Sequence, residues 1–464
     1  MKEALRKKLI RPETAVFLFI LLNRCFYYLN TQAGKWIQDT GSYVDYDPKL
    51  CYRMFGYPLL IDLFQWLMKD GFGYGVTAVQ IVLSLISIWY LYRALMIVTG
   101  EKRGISLIMT AFYGCSPAIM QWDMILVTES LSLSFTVFFV YHALAWLKEF
   151  RKRDAVGMVL SVFWGTITKT ALFVFVGAIL LLLILLFFLK SEDEFALAVS
   201  ARSAGKAAGK SDAGAVPSAR TLKRRILGFA LILTLLLGLF DLGYCSYNYK
   251  HCGLFSMSNL SARHKIVHAL RSGTYLEHPD REMVEKIEEI YRANGYEYAY
   301  ATTTPVLELF GDTQVEQNRK ALAFAKECLR SDLPAYAKDL VRTAVDEMFW
   351  KYDAPYETRL CEGKIPNLLL NLQQICFSFL RVAYVCALCF AALVWLVAKW
   401  IREKKCPFAL LGLSGGMLLI LVTVNLAAYS EWTRLLDYIL PFVYVTAGMM
   451  LAAIPPKSLK KPYN

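Results

Sequence analysis

The sequence lacks the spacings that mark a zinc site, a cleaved signal peptide or an internally repeated protein. Its 11 cysteines are scattered, with no CxxC or Cys/His zinc pattern, so we expect most of them to be small core residues. The first apolar stretch, at about 14–29, follows a basic start but has no small-x-small cleavage site and contains Arg24. We therefore expect this stretch to be a retained membrane anchor.

Apolar residues are abundant. They make up 56% of the 464 residues, and the mean hydropathy is +0.40, which exceeds what a soluble domain hides in one core. The net charge of +13 arises from short Lys and Arg clusters between apolar stretches, not from one basic domain. The sequence thus predicts a membrane protein and gives no reason to expect a nucleic-acid partner.

Hydropathy predicts an all-α membrane protein with about ten spans, since each span needs roughly 17 to 25 mainly apolar residues. The spans are expected at about 13–30, 72–97, 104–121, 124–146, 155–169, 171–189, 226–246, 368–399, 407–427 and 433–454. Short loops rich in Lys and Arg stay in the cytoplasm. The basic clusters all fall on one side of these spans, which we therefore expect to be the cytoplasmic side. Both termini are expected in the cytoplasm.

Five regions follow from this topology. They are a transmembrane core at 1–190 with an outer loop at 31–71, a flexible cytoplasmic linker at 191–225, a membrane helix at 226–246, a helical extracytoplasmic domain at 247–367, and C-terminal membrane helices with a basic tail at 368–464. Amphipathic patterns such as REMVEKIEEIYRANG predict the helices of the extracytoplasmic domain.

Charged residues gather at one face of the predicted membrane. Each could be a snorkelling or structurally paired side chain, but together they predict a polar cavity with cations for a phosphate and a carboxylate for removing a proton. These residues are Arg24, Asp39, Asp45, Asp47, Arg53, Glu129, Lys169, Glu431 and Arg434.

The outer loop also offers a weak metal pattern and several aromatic residues. Asp45-Tyr46-Asp47 resembles a D-x-D pair for a divalent cation, but the tripeptide is common in polar loops, so no cofactor is predicted with certainty. Tyr43 and Tyr57 fit an aromatic belt at the interface or stacking against a sugar ring. Both interpretations stay open.

Several of these residues stand in a familiar order. Asp39 to Tyr43 followed by Arg53-Met54-Phe55-Gly56-Tyr57-Pro58 resembles the first outer loop of the type C (GT-C) membrane glycosyltransferases, in particular the protein O-mannosyltransferase and lipid A aminoarabinose transferase group. Thr128-Glu129-Ser130-Leu131, Thr168-Lys169-Thr170 and Glu431-Trp432-Thr433-Arg434 with Tyr438 resemble later elements. Phe55 replaces the usual proline, and Lys169 stands where arginine is frequent.

The resemblance implies a GT-C-like fold, with juxtamembrane helices at about 48–54 and 58–69, and transfer of a hexosyl or pentosyl group with inversion. The donor would be a polyprenyl-phosphate sugar in the outer leaflet of a plasma membrane, and the acceptor a cell-surface glycan, lipid or protein. Asp39 would be the general base. Arg53, Lys169, Arg434 and Arg24 would bind the donor phosphate, and Tyr43, Tyr57, Glu129 and Tyr438 would bind substrate.

Two other classes of protein remain open. A transporter or lipid flippase would spread its charges along the depth of the helices and would show broken spans in related halves. A non-catalytic subunit of a cell-envelope polymer assembly would tolerate the loss of Asp39.

Overall fold

The computed structural model describes residues 11–149, 151–188, 219–296, 299–352, 354, 359–360, 363–403, 407–428 and 431–454. Most of the predicted linker at 191–225 and the basic tail after 454 lie outside the described residues. In the described part the chain is helical, with three isolated β-bridges and no named strand. The predicted all-α class is confirmed there.

Within the described residues, the first half of the chain forms nine α-helices. They are α1 (Pro12–Leu29), α2 (Gly41–Val44), α3 (Gly56–Met68), α4 (Phe72–Val98), α5 (Arg103–Gly114), α6 (Pro117–Met124), α7 (Glu129–Glu149), α8 (Lys152–Thr168) and α9 (Val174–Phe188).

The second half begins with α10 (Ala219–Cys252). There follow α11 (Leu260–Ser272), α12 (Arg281–Ala293), α13 (Ala299–Glu308), α14 (Gln314–Ser331), α15 (Leu333–Met348), α16 (Lys364–Phe377), α17 (Val382–Glu403), α18 (Phe408–Ala427), α19 (Trp432–Leu435) and α20 (Leu440–Ala453).

Five helical stretches of the described chain are long and apolar enough to cross a membrane. They lie at Gly56–Val98, Glu129–Glu149, Leu227–Cys252, Val382–Glu403 and Phe408–Ala427, and two shorter apolar helices lie at Thr170–Leu180 and Asp437–Ala453. Large apolar side chains such as Leu231 and Leu239 are 58% and 63% exposed, which suits contact with lipid. The chain is a membrane protein, and a count of about ten spans stays a prediction.

Several expected spans are interrupted or begin later than predicted. The span predicted at 104–121 is broken between α5 and α6, because Pro117 lacks an N–H and disfavours helix at the preceding residue. The span predicted at 124–146 begins only at Glu129. The span predicted at 368–399 is broken between α16 and α17, where Tyr352 N donates to Leu380 O at 2.9 Å and the Lys351–Arg381 bridge forms.

A helix is present as α3 where one is expected at 58–69, and its position beside the membrane stays a prediction, because α3 is part of the apolar stretch Gly56–Val98. The helix expected at 48–54 is wrong. The chain forms only a 3-10 turn at Pro48–Leu50, because Cys51 has a φ of 55° and a left-handed residue does not continue a helix.

Helices α11 to α15 form a separate packed unit, which we call the helical insert (260–348). Its core contains Val267, Ile287, Val306 and Phe324. Three of its helices begin with capping side chains: Asp280, Thr313 and Asp332 accept from the backbone N–H groups of Met283, Glu316 and Ala335. The membrane side on which the insert lies stays a prediction.

Close backbone contacts fix the loop at 31–71, whose outer position is a prediction and which we call the outer loop, against the membrane helices. Gly34 has a φ of 67°, and a Cβ there would lie 3.2 Å from Gly73 Cα. A Cβ on Gly56 would lie 2.7 Å from Ile167 O, so only glycine allows α3 to begin this close to the end of α8. The outer loop therefore reaches the residues that follow α8.

Candidate active site

A buried carboxylate, Glu129, is the centre of the candidate site. Helix α6 ends at Met124 and Ile125 is extended, with Lys35 N donating to Met124 O and Leu126 N donating to Lys35 O, both at 3.0 Å. Helix α7 then begins at Glu129, where the partial positive charge of a helix N-terminus favours an acidic side chain. The side chain is only 2% exposed, so its charge requires partners.

Two cations from other parts of the chain meet Glu129. Lys169 Nζ donates to Glu129 Oε1 at 3.4 Å, and Arg434 Nε donates to the same oxygen at 2.8 Å. Lys169 follows α8 in an extended conformation, and Arg434 lies in the short helix α19. The helix packing, not local sequence, brings the three residues together.

Arg434 joins Glu129 to the outer loop. Its Nη2 donates to Asp39 Oδ2, and its Nη1 donates to Glu431 Oε2 at 3.5 Å. All three guanidinium nitrogens thus contact carboxylates. Arg434 is therefore the residue that holds the acidic side chains of the site in one arrangement.

The helical insert supports the helix that carries Arg434. Glu347 Oε2 in α15 accepts a hydrogen bond from Trp432 N at 3.0 Å, at the first residue of α19. Burial raises the pKa of the Glu347 carboxyl, and this backbone hydrogen bond opposes that rise. An acceptor at the start of a helix satisfies a backbone N–H that the helix cannot.

Asp39 lies at the accessible edge of the site. Its Oδ1 is 2.8 Å from Arg53 Nη2, while its Oδ2 accepts the hydrogen bond from Arg434 Nη2. Arg53 Nε donates to Ser42 Oγ at 2.8 Å, and its guanidinium lies 4.6 Å from the centre of the Tyr43 ring. The Asp39 side chain is 31% exposed, against 2% for Glu129, so Asp39 is the carboxylate of the two that a ligand reaches.

We call the group of Asp39, Arg53, Glu129, Lys169 and Arg434 the charge cluster. Its members come from the outer loop, from the ends of helices and from the short helix α19, and their side chains join them.

The structure adds a carboxylate that the sequence analysis missed, Asp437. It is 3% exposed, lies in the 3-10 turn before α20, and faces the charges of Lys169, Glu129 and Arg434. Its Oδ2 has no hydrogen-bond partner within the described part of the chain. The signal in the sequence is an acidic residue inside an apolar stretch, the same one that singles out Glu129.

The tyrosines predicted to bind substrate are buried. Tyr438 is 1% exposed, and Lys169 Nζ lies 5.7 Å from the centre of its ring. The rings of Tyr43 and Tyr57 pack edge to face, with 5.2 Å between the ring centres. The Tyr57 hydroxyl donates to Gln80 Oε1 at 2.7 Å. Tyr43 and Tyr438 thus lie beneath cations of the cluster, whereas Tyr57 is fully buried behind Tyr43.

The structure does not bring Arg24 to the charge cluster. It is 0% exposed, and its Nη1 donates to Asp123 at 2.9 Å and to Tyr28 and Ser84 at 2.7 Å, while its Nε donates to Gly114 O at 2.7 Å. Arg24 Nη2 is buried without a hydrogen-bond partner in the described residues. This closed position offers no access to a donor phosphate.

The Asp45-Tyr46-Asp47 tripeptide does not assemble into a metal site. Asp47 Oδ1 accepts from Lys49 N at 2.8 Å and caps the 3-10 turn at Pro48–Leu50. Across the described ranges, no group of three or more His, Cys, Asp or Glu side chains is placed to hold a metal ion. The residues present therefore do not fit a divalent cation, and we derive no step through one.

The charge cluster combines an accessible carboxylate with cations that have donor hydrogens to spare. Lys169 and Arg53 are 13% and 21% exposed, and the contacts described above use only part of their donors. An anion can therefore bind to Lys169 and Arg53 while Arg434 keeps the carboxylates in place. Fold and site together define a helical membrane protein with a mixed-charge cluster at the ends of its helices.

Comparisons with known proteins give only distant likenesses. No family model matches the chain, and no curated protein matches it. Among solved structures, it resembles the Archaeoglobus fulgidus oligosaccharyltransferase in complex with Zn and sulfate, at 12% identity and a TM-score of 0.44 over 94% of this chain and 48% of that chain.

The archaeal oligosaccharyltransferase AglB from Archaeoglobus fulgidus, in complex with an inhibitory peptide and a dolichol-phosphate, matches at 12% identity and a TM-score of 0.39, over 94% of this chain and 49% of that one. The apo form of the oligosaccharyltransferase matches at 11% identity and a TM-score of 0.41, over 94% and 50% of the two chains. The chain spans about half the length of these structures. Scores this low assign it no fold or activity, so its function is argued from its own residues.

Proposed function

We propose that the chain is a membrane glycosyltransferase that moves a sugar from a polyprenyl-phosphate donor to an acceptor on the extracytoplasmic side. The observation that supports this proposal is the charge cluster itself: a reachable carboxylate lies beside cations that retain donors, at the ends of membrane helices. A lipid-linked substrate in one leaflet would present its phosphate at this depth.

In the proposed reaction Asp39 is the general base. Its Oδ2 accepts a hydrogen bond from Arg434 and its Oδ1 forms an ion pair with Arg53, which orients the carboxylate and leaves lone pairs for an acceptor proton. The acceptor oxygen attacks the anomeric carbon as Asp39 takes its proton. The bond between that carbon and the phosphate oxygen breaks on the opposite face, which inverts the configuration.

The leaving polyprenyl phosphate takes the electron pair of the broken bond. Lys169 and Arg53 bind its oxygens, because they combine positive charge, partial exposure and remaining donors. Arg434 and Glu129 act through other residues: Arg434 holds Asp39, and Glu129 holds Arg434 and Lys169. Tyr43 and Tyr438 position the cations above their rings.

The test is sugar transfer in membranes that contain the full-length protein or Asp39→Asn. Radiolabelled polyprenyl-phosphate hexose and pentose donors are supplied, and label in acceptor material is counted. We expect the intact protein to transfer label from at least one donor and Asp39→Asn to lose about 10²- to 10⁴-fold in rate, the usual contribution of a general base.

The matched control is Asp62→Asn, which makes the same chemical change at an exposed position of α3. It should transfer label at the rate of the intact protein. Equal transfer by the intact protein and Asp39→Asn would exclude Asp39 as the base. No transfer by the intact protein from any donor would overturn the enzyme proposal and favour the transporter or subunit interpretation.

A further inference from the structure

Two buried cysteines meet where the outer loop contacts the end of α10. Cys51 and Cys252 are 1% and 0% exposed and share an apolar cluster with Leu254 and Ala262. Both are free thiols in this structure, and the Cys51 thiol donates to Lys49 O at 3.4 Å within the cluster that also contains Cys252. Two distant segments of the chain thus bring two thiols into one buried cluster.

Other contacts hold both cysteine backbones in place. Asn259 N donates to Cys51 O at 2.9 Å, and Asn259 Nδ2 donates to Leu50 O at 2.6 Å. Asn318 Nδ2, from the helical insert, donates to Cys252 O at 3.1 Å. The approach of the two thiols therefore does not depend on the sulfur atoms themselves.

We propose that Cys51 and Cys252 form a disulfide that ties the outer loop to the junction between α10 and the helical insert. The co-reactant is an oxidised thiol–disulfide oxidoreductase or another small disulfide. One thiolate attacks that disulfide and forms a mixed disulfide, releasing one thiolate of the co-reactant. The second cysteine thiolate then attacks the protein sulfur of the mixed disulfide and displaces the remaining sulfur of the co-reactant. The two thiols lose two protons and two electrons, the S–S bond forms, and the co-reactant takes up both, leaving as the dithiol of the oxidoreductase or as two thiols of the small disulfide.

The disulfide constrains the loop that carries the charge cluster. Cys51 is two positions from Arg53, whose carbonyl accepts a hydrogen bond from Tyr244 of α10 at 3.2 Å. A covalent link at Cys51 keeps this part of the loop against α10 when the hydrogen bonds open. The proposal requires an oxidising compartment on this side of the membrane, and it does not depend on the proposed enzymatic activity.

The experiment maps the thiols of the full-length protein in its membrane. One sample is blocked directly with N-ethylmaleimide, and a second is first equilibrated with oxidised glutathione. Both are digested without reductant and analysed by mass spectrometry. We expect a peptide pair linked through Cys51 and Cys252 in at least the second sample, and its disappearance after treatment with dithiothreitol.

Serine variants sharpen the assignment. In Cys51→Ser, Cys252 should become alkylated, whereas Cys328→Ser, which removes another buried cysteine of the same region, should leave the link intact. The proposal is overturned if Cys51 and Cys252 of the intact protein carry separate N-ethylmaleimide or glutathione groups after equilibration. Thiol mapping of the intact protein tests the proposal even if a variant fails to fold. The mapping also does not depend on whether the protein is an active enzyme.

Discussion

The protein places an arginine beside an aspartate in two different ways. Arg24 and Asp123 are 0% and 1% exposed, and hydroxyl and carbonyl groups of the surrounding helices complete their contacts. Arg53 and Asp39 are 21% and 31% exposed and lie at the edge of a larger cluster. The same chemical pair is thus closed in one region and open in the other.

The difference shows that a charge in a membrane helix is not by itself a sign of a ligand site. A buried pair is held by the cost of separating its charges in a medium of low polarity. A pair at the accessible edge of the charge cluster can exchange its partner for water or a ligand at a lower cost in free energy. Exposure and remaining donors, not charge alone, distinguish the candidate active site from the structural pair.

Removal of Asp123 should have the largest effect on stability. Asp123→Ala leaves Arg24 buried without its counter-charge, which costs about 3–5 kcal/mol. We expect a strongly lowered Tm and loss of folded protein in detergent, measured by thermal unfolding and size-exclusion chromatography. The matched variant Asp39→Ala should keep most of its Tm, since water reaches the groups it leaves behind. Equal losses in the two variants would remove the distinction between closed and open pairs.

Removal of Lys169 should act on donor binding. Lys169→Gln loses a charge-assisted hydrogen bond to phosphate, worth about 1.5–3 kcal/mol, so kcat/KM for the donor should fall roughly ten- to a hundredfold. Lys169→Arg should retain more activity. Lys49→Gln, which removes a cation from an exposed position of the outer loop, is the control. A comparable loss in Lys49→Gln would show that general loop charge, not this site, attracts the donor.

Truncation of Glu347 should have a smaller effect that reaches the site through α19. Glu347→Ala removes the acceptor for Trp432 N, a cap of about 0.5–2 kcal/mol, and should loosen the helix that carries Arg434. We expect a several-fold loss of transfer. Glu347→Gln keeps an acceptor oxygen and should retain the rate of the intact protein. Equal loss in both variants would mean that the charge of Glu347, not its hydrogen bond, matters.

The smallest expected effect is a pH dependence in the helical insert. Burial has the largest effect and lowers the pKa of His264 from 6.5 to about 4, and the electrostatic influence of the neighbouring His268, Lys265 and Arg263 acts in the same direction. Above pH 6.5 the residue is neutral in the folded and unfolded chains. Between pH 6.5 and about 4 the unfolded chain binds a proton that the folded insert does not, so the free energy of unfolding falls as the pH falls.

The measurement is Tm of the full-length protein at pH 7 and pH 5. The decrease should be smaller in His264→Gln, which has no titrating ring. An unchanged decrease in the variant would assign the pH dependence to other groups.

The sequence predicts the helical class and most helix positions because hydropathy reports what must face lipid. It also singles out the members of the charge cluster, since ionisable residues near apolar stretches are rare. It does not predict which of them meet. Arg24 and Arg434 both look like cations at the membrane surface, and only the packing of α1, α6 and α7 places Asp123 beside Arg24.

Two other features depend on contacts between distant segments. The Lys35 backbone bonds to Met124 and Leu126 on either side of the extended Ile125, so α7 begins at Glu129 and not five residues earlier, where hydropathy places it. Asp437 becomes part of the site because the turn before α20 packs against α7, although its local sequence reads as the start of a span. The sequence around these residues predicts neither the contacts of Lys35 with the segment before α7 nor the packing of Asp437 against the site.

The bond between Glu129 and Arg434 joins positions 305 residues apart, and this has a consequence for synthesis. When the ribosome has made the first half of the chain, Asp39, Arg53, Glu129 and Lys169 are already present, but the residue that clamps the two carboxylates is not. The site is completed only when the last helices have been inserted, so a nascent or truncated chain carries an unfinished centre throughout most of its production.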